Sequence, residues 1–339
     1  MKGLIVCAGK GSRLRPFTLS SPKTMIPVAN KPILFYGIEK LAKEGIREIG
    51  IVIHPSQKAM IYEAAGDGEK FGVALTYLYQ NEPKGIADAV AVAEAFIQES
   101  DFVLMLGDNL VKEPLGPLMD QLLLADACIL LAEADHPEQY GVAEIVGGEI
   151  ISLDEKPEHP KSNLVVIGVY AFKSKIFEHI RNLTTSTRGE LEITDAIQRL
   201  IDRKGKVSYV ITSQSVSDVG NTDRWLEANT WMMDEVCQGK NVISSDASLL
   251  NCTLHEPVII GPGCRMVNST IGPYVSVMAG SIIEDCRIEH SIVLEDVTLR
   301  GIKQVVSGSI LGNKVSITGG TAAKGRYILG DLSQCSNLE

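Results

Sequence analysis

Lys2-Gly3-Leu4-Ile5-Val6-Cys7-Ala8-Gly9-Lys10-Gly11-Ser12-Arg13-Leu14 decides the first half of the fold. Residues 2–7 are a short aliphatic run of the kind that makes a strand buried in a parallel sheet. The glycine-rich turn leaves that strand at its carboxyl end. Small residues there let a backbone approach a phosphate, and successive N–H groups can cradle it. Such turns are common, so the turn alone identifies no ligand. Two familiar phosphate loops fail. A P-loop needs Lys-Ser/Thr after its last glycine, and Ser12-Arg13 does not supply it. A dinucleotide fingerprint needs a third glycine where Leu14 stands and an acid about 20 residues on, and Asn30-Lys31-Pro32 offers none. What remains is an anion loop bracketed by Arg13, Arg15 and Lys23. Three cations near one loop suit a triphosphate; solvated surface charge is the alternative.

Outward from that loop, short Val/Ile/Leu-rich runs predict further strands at 48–53, 74–79, 102–106, 127–133, 165–172 and 207–212. Helical patterns lie between several of them, near 32–45, 57–65, 86–98, 114–124 and 193–204. The alternation predicts an α/β domain with a mostly parallel sheet, whose ligands sit outside the carboxyl ends of the strands. Acids stand at two such ends. Phe102-Val103-Leu104-Met105-Leu106 runs into Gly107-Asp108-Asn109, and Asp218 follows the 207–212 strand in Ser217-Asp218-Val219-Gly220. One acid could simply cap a loop. Two acids from separate strand ends could hold one Mg²⁺, which takes one or two carboxylates and leaves its other positions to phosphates and water. Glu155-Lys156-Pro157 follows a strand near 150–154; Glu155 could accept from sugar hydroxyls and Lys156 could meet a phosphate. The acidic run at 188–195 leads into a helix, where acids in the first turn are favourable in any case.

Near residue 240 the texture changes. A last helix is predicted from Thr222, a plausible N-cap, to about Gln238, with Gly239 as its stop. After it, aliphatic residues recur at six-residue steps: Leu254 and Ile260; Ile271, Val277 and Ile283; Ile288 and Leu294. Such a period predicts a β-solenoid in which each short strand stacks on its neighbour. Five-residue slips, Met266 to Ile271 and Ile283 to Ile288, interrupt it; an irregular all-β tail is the alternative. The expected domains are therefore 1–239 and 240–339.

The bulk properties narrow the function. A chain of 339 residues suits two domains. With 45% apolar and 22% charged residues it is globular rather than disordered. No apolar run approaches the ~18 residues of a membrane span, and the first apolar stretch is too short for a signal peptide. Seven scattered cysteines without a CxxC pair predict neither a disulfide framework nor a zinc site, so a reduced, cytoplasmic setting is expected. A net charge of −10 argues against nucleic acid as a partner. A small anionic substrate would need its Lys and Arg partners concentrated locally.

Taken together, the segments resemble the sugar-phosphate nucleotidylyltransferases, specifically the long form of the glucose-1-phosphate thymidylyltransferases. The opening signature, Leu-Ala-(Gly/Ala)-Gly-x-Gly-Thr-Arg-Leu, is matched at 6–14, with Ala8 at the variable glycine and Ser12 for Thr. Pro22-Lys23-Thr24-Met25-Ile26-Pro27-Val28 matches the next segment. Gln80 with Pro83-Lys84-Gly85-Ile86-Ala87, Gly107-Asp108-Asn109, Tyr140-Gly141-Val142, Glu155-Lys156-Pro157 and the 188–195 run follow, and Tyr327-Ile328-Leu329-Gly330-Asp331 resembles the long form's closing segment.

The resemblance implies a Rossmann-like, mostly parallel α/β nucleotidyltransferase domain followed by a left-handed parallel β-helix of the hexapeptide type. It also implies roles. Gly9, Gly11 and Ser12 hold a triphosphate beside Arg13, and Lys23 approaches the reacting phosphates. Ala8, Gln80, Pro83 and Gly85 belong to the base side of the nucleotide site. Asp108 and Asp218 ligate Mg²⁺, the expected cofactor. Gly141, Glu155 and Val169 line the sugar site, Lys156 takes the sugar phosphate, and Glu190 supports the pocket. Arg13, Lys23 and Lys156 are the groups expected to carry catalysis. Three positions depart from the pattern: Thr24 where short forms often have Gln, Asp88 where Gln or His is common, and Val216 for a frequent Trp.

The implied reaction is attack of a sugar 1-phosphate oxygen on the α-phosphate of dTTP or UTP, with release of pyrophosphate. The expected partners are these small molecules and a second copy of the chain, through the β-helix; neither nucleic acid nor a membrane is expected. Two alternatives stand beside it. One is a regulatory homologue that keeps the fold without turnover. The other is acetyl transfer by the solenoid, for which His255 and His290 are candidates by residue type.

Overall fold

The apolar runs of the first half assemble into one nine-stranded sheet. The computed structural model describes residues 1–7, 9, 11–319 and 325–336. Lys2–Val6 lies at the sheet's centre, parallel to Glu48–Ile53 on one side and Phe102–Leu106 on the other; Ala74–Tyr79 extends the parallel group beyond Glu48–Ile53. Ala127–Glu133 and Val207–Ile211 form a second parallel pair. Leu164–Phe172 runs antiparallel between the two groups, and the hairpin Gly141–Val146/Glu149–Glu155 adds an antiparallel edge. The sheet is therefore more mixed than expected. Leu164–Phe172 is buried at every position after Leu164, so its hydropathy reads like that of a two-sided parallel strand.

This α/β part, Met1–Gly9 with Ile33–Ser217, is one of two compact units. Its core gathers Leu4, Leu104, Phe102 and Phe172 from the sheet with Ala89, Ile97, Ile197 and Leu200 from the helices. The helix expected over 86–98 is broken into Ile86–Val92 and Glu94–Ile97 at Ala93.

The second unit is Lys10–Pro32 with Asp218–Glu339. After residue 240 its short strands stack in parallel ladders, as a left-handed β-helix requires. Rung partners sit seventeen residues apart where Ile259 meets Ser276, Met266 meets Ile283 and Ile271 meets Ile288. A coil has three edges, so a seventeen-residue coil consists of two six-residue steps and one of five. The slips at Met266–Ile271 and Ile283–Ile288 are that short edge. One expected position moves: Val277 pairs with Val293, not Leu294. That coil is one residue shorter, and Val293 rather than Leu294 joins the solenoid core with Met266, Ile283 and Leu299.

The helix Thr222–Cys237 belongs to this unit. Its N-cap is Asn221, not Thr222: the Asn221 side chain accepts from the Arg224 N–H at 2.9 Å. Met233 and Cys237 pack with Ala29 and Ile259. Asn229 Oδ1 accepts from the Ala29 N–H at 2.8 Å and the Ser276 hydroxyl at 3.1 Å. Trp225 donates to Pro27 O at 2.7 Å and meets Phe17 edge-on at 5.1 Å. The chain thus enters the ladder near 240, but the ladder's compact unit also takes in this helix and the segment after Gly9. Among the described residues no helix is long and apolar enough to cross a membrane, and the seven cysteines are free thiols.

Candidate functional site

Gln80 follows the carboxyl end of Ala74–Tyr79, and its main chain stays tied to the sheet through Ile53 O at 3.0 Å. Its side chain is buried and donates from Nε2 to Gly85 O at 3.1 Å and to Asp88 Oδ2 at 2.7 Å. Gly85 has φ +107°, and a Cβ there would lie 2.4 Å from Leu191 O. Only glycine satisfies both conditions. The close approach lets Leu191 N donate to Lys84 O at 2.7 Å and Ala87 N donate to Leu191 O at 3.0 Å. The 83–87 turn is thereby zipped to the 188–195 segment; Pro83 stays exposed on its outer side.

The same 188–195 segment carries a network of charges. Thr194 Oγ1 donates to Glu155 Oε2 at 3.1 Å. Arg188 Nη1 reaches Glu155 at 3.4 Å and Glu192 at 3.2 Å, and Arg188 Nη2 lies 3.9 Å from Glu190. Ser186 donates to Glu192 at 3.1 Å. Burial first, then the charge of Glu155, pushes the Glu192 carboxyl above its usual range, against the opposing pull of Arg188. Gly141 pairs with Glu155 in the hairpin. A Cβ at Gly141 would sit 2.7 Å from Thr194 Cγ2 and 3.2 Å from Glu155 Oε2, so glycine makes room for the carboxylate. Lys156 takes φ +45°, anchors its N–H on Tyr140 O at 2.9 Å, and holds Nζ 3.8 Å from Glu155. The structure therefore brings Gly141, Glu155, Lys156 and Glu190 together. Sequence reasoning missed Arg188, Glu192 and Thr194 as members, because polar residues at a helix start look like ordinary first-turn chemistry.

Asp108 stands just past Phe102–Leu106, with Gly107 N held by Val6 O at 2.8 Å, so the acid is half-buried at the strand's carboxyl end. Asn109 donates to Ile167 O at 2.9 Å. Val169 pairs with Met105 and its side chain is fully buried.

In the second unit, Gly11 adopts the left-handed conformation before the turn Ser12–Leu14. Thr18 Oγ1 donates to Gly11 O at 2.7 Å, and a Cβ on Gly11 would meet Lys23 Cβ at 3.0 Å. Leu14 and Phe17 are buried and anchor the loop, while Ser12 and Arg13 are exposed. Arg13 Nη2 and Asp218 Oδ2 both flank Gly220, at 3.5 and 3.6 Å from where its Cβ would be. Asp218 is ion-paired with Arg224. Thr24, beside Lys23, is buried with no hydrogen-bond partner for its hydroxyl among the described residues. Among the described residues, its chain neighbours aside, nothing lies within 4 Å of where a Gly9 Cβ would be; Ala8 lies outside the described residues. No group of three or more His, Cys, Asp or Glu that could hold a metal occurs among the described residues.

A cleft of about 390 Å³ lies on the solenoid, lined by His255, Thr270, Gly272, Arg287 and Glu289 among others. His290, the other candidate histidine, is not in its lining and stacks on Tyr274 with ring centres 5.4 Å apart.

Comparison with known proteins matches residues 2–235 to the family model described as nucleotidyl transferase. A glucose-1-phosphate thymidylyltransferase of Streptomyces griseus is 36% identical over 98% of this chain and 99% of its own length. A UTP–glucose-1-phosphate uridylyltransferase of Haloferax volcanii is 37% identical over 70% of this chain and 99% of its own. Among solved structures, a candidate glucose-1-phosphate thymidylyltransferase from Bacillus anthracis, in complex with a sucrose, superposes with a TM-score of 0.65 at 36% identity, covering 68% of this chain and 94% of that one.

Proposed function

Because the chain belongs to the nucleotidyl transferase family and is a glucose-1-phosphate thymidylyltransferase-like enzyme acting on a sugar 1-phosphate, we propose that it joins glucose 1-phosphate to the nucleoside monophosphate of dTTP, with UTP as a second donor. The observation that carries this is the 188–195 segment. It fixes Gly85 through its backbone and Glu155 through Thr194, so one element serves both the base loop and the sugar-binding carboxylates.

The sugar phosphate is a dianion near neutral pH, so its oxygen needs no general base to attack the α-phosphate. The protein's task is to orient two mutually repelling anions and to neutralise their charge. Lys156 is proposed to take the sugar phosphate. Glu155, steadied by Thr194 and Arg188, is proposed to accept from sugar hydroxyls. Arg13 and Lys23, on the turn that Gly11 shapes, are proposed to hold the triphosphate with the backbone of Gly9, Gly11 and Ser12. Gln80 and Gly85 are proposed to meet the base.

Asp108 and Asp218 are proposed as ligands of Mg²⁺. The donor chemistry fits, because carboxylate oxygens are hard ligands and Asp108 stands half-buried at a strand's carboxyl end. When bound, Mg²⁺ supplies charge neutralisation at the phosphates.

The test is a pyrophosphate-release screen of dTTP, UTP, CTP, ATP and GTP against several sugar 1-phosphates. A site that hydrogen-bonds a pyrimidine edge rejects bases that cannot pair with it by as much as ~10⁴, whereas the single methyl separating thymine from uracil is worth only about 10–200-fold. The expected order is dTTP, then UTP, with ATP and GTP poor. Equal rates with all five would overturn the base assignment of Gln80 and Gly85.

A further inference from the structure

We propose that Asp88 is a specificity-determining positioning residue: its carboxylate fixes which end of the Gln80 amide is offered to the nucleobase, and thereby selects uracil or thymine against cytosine. The inference rests on the proposal that Gln80 meets the base.

Gln80 is 4% exposed, so its amide cannot turn freely in solvent. Two groups face its nitrogen: Gly85 O at 3.1 Å and Asp88 Oδ2 at 2.7 Å. A backbone carbonyl only accepts, and so does an ionised carboxylate. Reversing the amide would set its oxygen against two acceptors, so the chemistry fixes the assignment of nitrogen and oxygen. Both Nε2 hydrogens are then consumed inside the protein. Oε1 is left, and among the described residues no donor meets it. The side chain therefore presents an acceptor and nothing else.

The ring N3 of uracil and thymine carries a hydrogen and can donate to that oxygen. The N3 of cytosine is a bare acceptor and would face it lone pair to lone pair. The site would thus read the protonation of N3, which separates uracil and thymine from cytosine without touching the methyl that separates thymine from uracil. Asp88 is one of the positions where this chain departs from the Gln or His expected by resemblance. A Gln or protonated His there can donate, so neither pins the Gln80 amide in one sense as a carboxylate does. A favourable acid in the first turn of Ile86–Val92 would account for a negative charge at Asp88. It would not account for the carboxylate being spent on the Gln80 nitrogen.

The test measures kcat/KM for dTTP, UTP and CTP with glucose 1-phosphate in the full-length enzyme and in Asp88→Asn. An asparagine can turn its own amide and donate to Gln80 Oε1, which removes the shorter of the two constraints and leaves Gly85 O alone to hold the nitrogen. The expected result is a fall of about tenfold in kcat/KM for dTTP and UTP, carried by KM. The CTP value should hold or rise, so the UTP:CTP ratio falls by at least that factor. The KM for glucose 1-phosphate and the melting temperature should stay put. If all three triphosphates fall by one common factor, Asp88 is merely structural and the inference is overturned; an unchanged UTP:CTP ratio overturns it equally. If the unsubstituted enzyme does not discriminate UTP from CTP at all, the base contact of Gln80 fails and takes the inference with it. Discrimination that survives Asp88→Asn removes this inference alone.

Discussion

Gly141 in the α/β unit and Gly272 in the solenoid both stand where a Cβ would collide, but with different neighbours. At Gly272, with φ +102°, the clash is with His255 O at 2.0 Å, the backbone of the preceding coil. At Gly141 it is with the Thr194 methyl at 2.7 Å and the Glu155 carboxylate at 3.2 Å, side chains of the charged cluster in the candidate site. The first glycine lets one coil lie on the next. The second lets a charged group reach its position. The same residue type at crowded places therefore supports stacking in one unit and the placement of charged side chains in the other. The contrast extends to buried polar groups. In the solenoid Ser269 and Ser281 bond to neighbouring backbone and end there; in the α/β unit the buried Gln80 bonds to the half-buried carboxylate of Asp88 and the buried Glu192 pairs with the exposed Arg188.

The largest effect expected from this contrast is at the acids. Asp108→Asn and Asp218→Asn should each lower kcat by on the order of 10²–10³ with little change in melting temperature, because the amide keeps the shape and loses the charge. The double variant should be little worse than the worse single one if both serve one ion. Near-native turnover in both single variants at low Mg²⁺ would make the two acids structural. Next comes the pair of glycines. Gly141→Ala should displace Glu155 or Thr194 and cost up to ~10² in kcat/KM for the sugar phosphate, with a modest shift in melting temperature. Gly272→Ala should do the reverse, costing about 1–3 kcal/mol of stability through its positive φ and coil clash, while kcat of the folded protein holds. Melting curves and steady-state kinetics on both variants decide the matter; matched losses in both quantities for both variants would erase the distinction.

A smaller effect should appear in pH dependence. Burial holds the Glu192 carboxyl above its ordinary value, so its contribution to stability is present in acid and is lost as pH rises through the raised pKa. Relative to the unsubstituted protein, Glu192→Gln should therefore gain melting temperature as pH rises from about 4, the ordinary carboxyl range, and level off once the raised pKa is passed. A difference that stays flat, or falls, over that range would mean that Arg188 outweighs burial at this residue.

The strands at 48–53, 102–106 and 127–133 were legible because buried aliphatic runs have few other uses. So was the solenoid, and even its five-residue slips carried information, since they mark the short edge of each coil. Three features were not legible. The antiparallel direction of Leu164–Phe172 leaves no trace in a run buried on both faces. The shift from Leu294 to Val293 depends on a coil one residue short, which only the pairing reveals. In the candidate site, Gln80, Gly85, Glu155 and Glu190 could be picked out by resemblance. The partners that orient them could not, because the Asp88–Gln80 and Thr194–Glu155 bonds join residues through the fold rather than through local pattern.

The most direct test of nucleotidyl transfer is ³¹P NMR of the full-length enzyme with dTTP, glucose 1-phosphate and Mg²⁺. Transfer predicts that the glucose 1-phosphate signal is consumed and that a pair of mutually coupled diphosphate-ester resonances grows in equal amount with free pyrophosphate. Pyrophosphate accompanied by thymidine monophosphate, with glucose 1-phosphate untouched, would show hydrolysis instead and contradict the account.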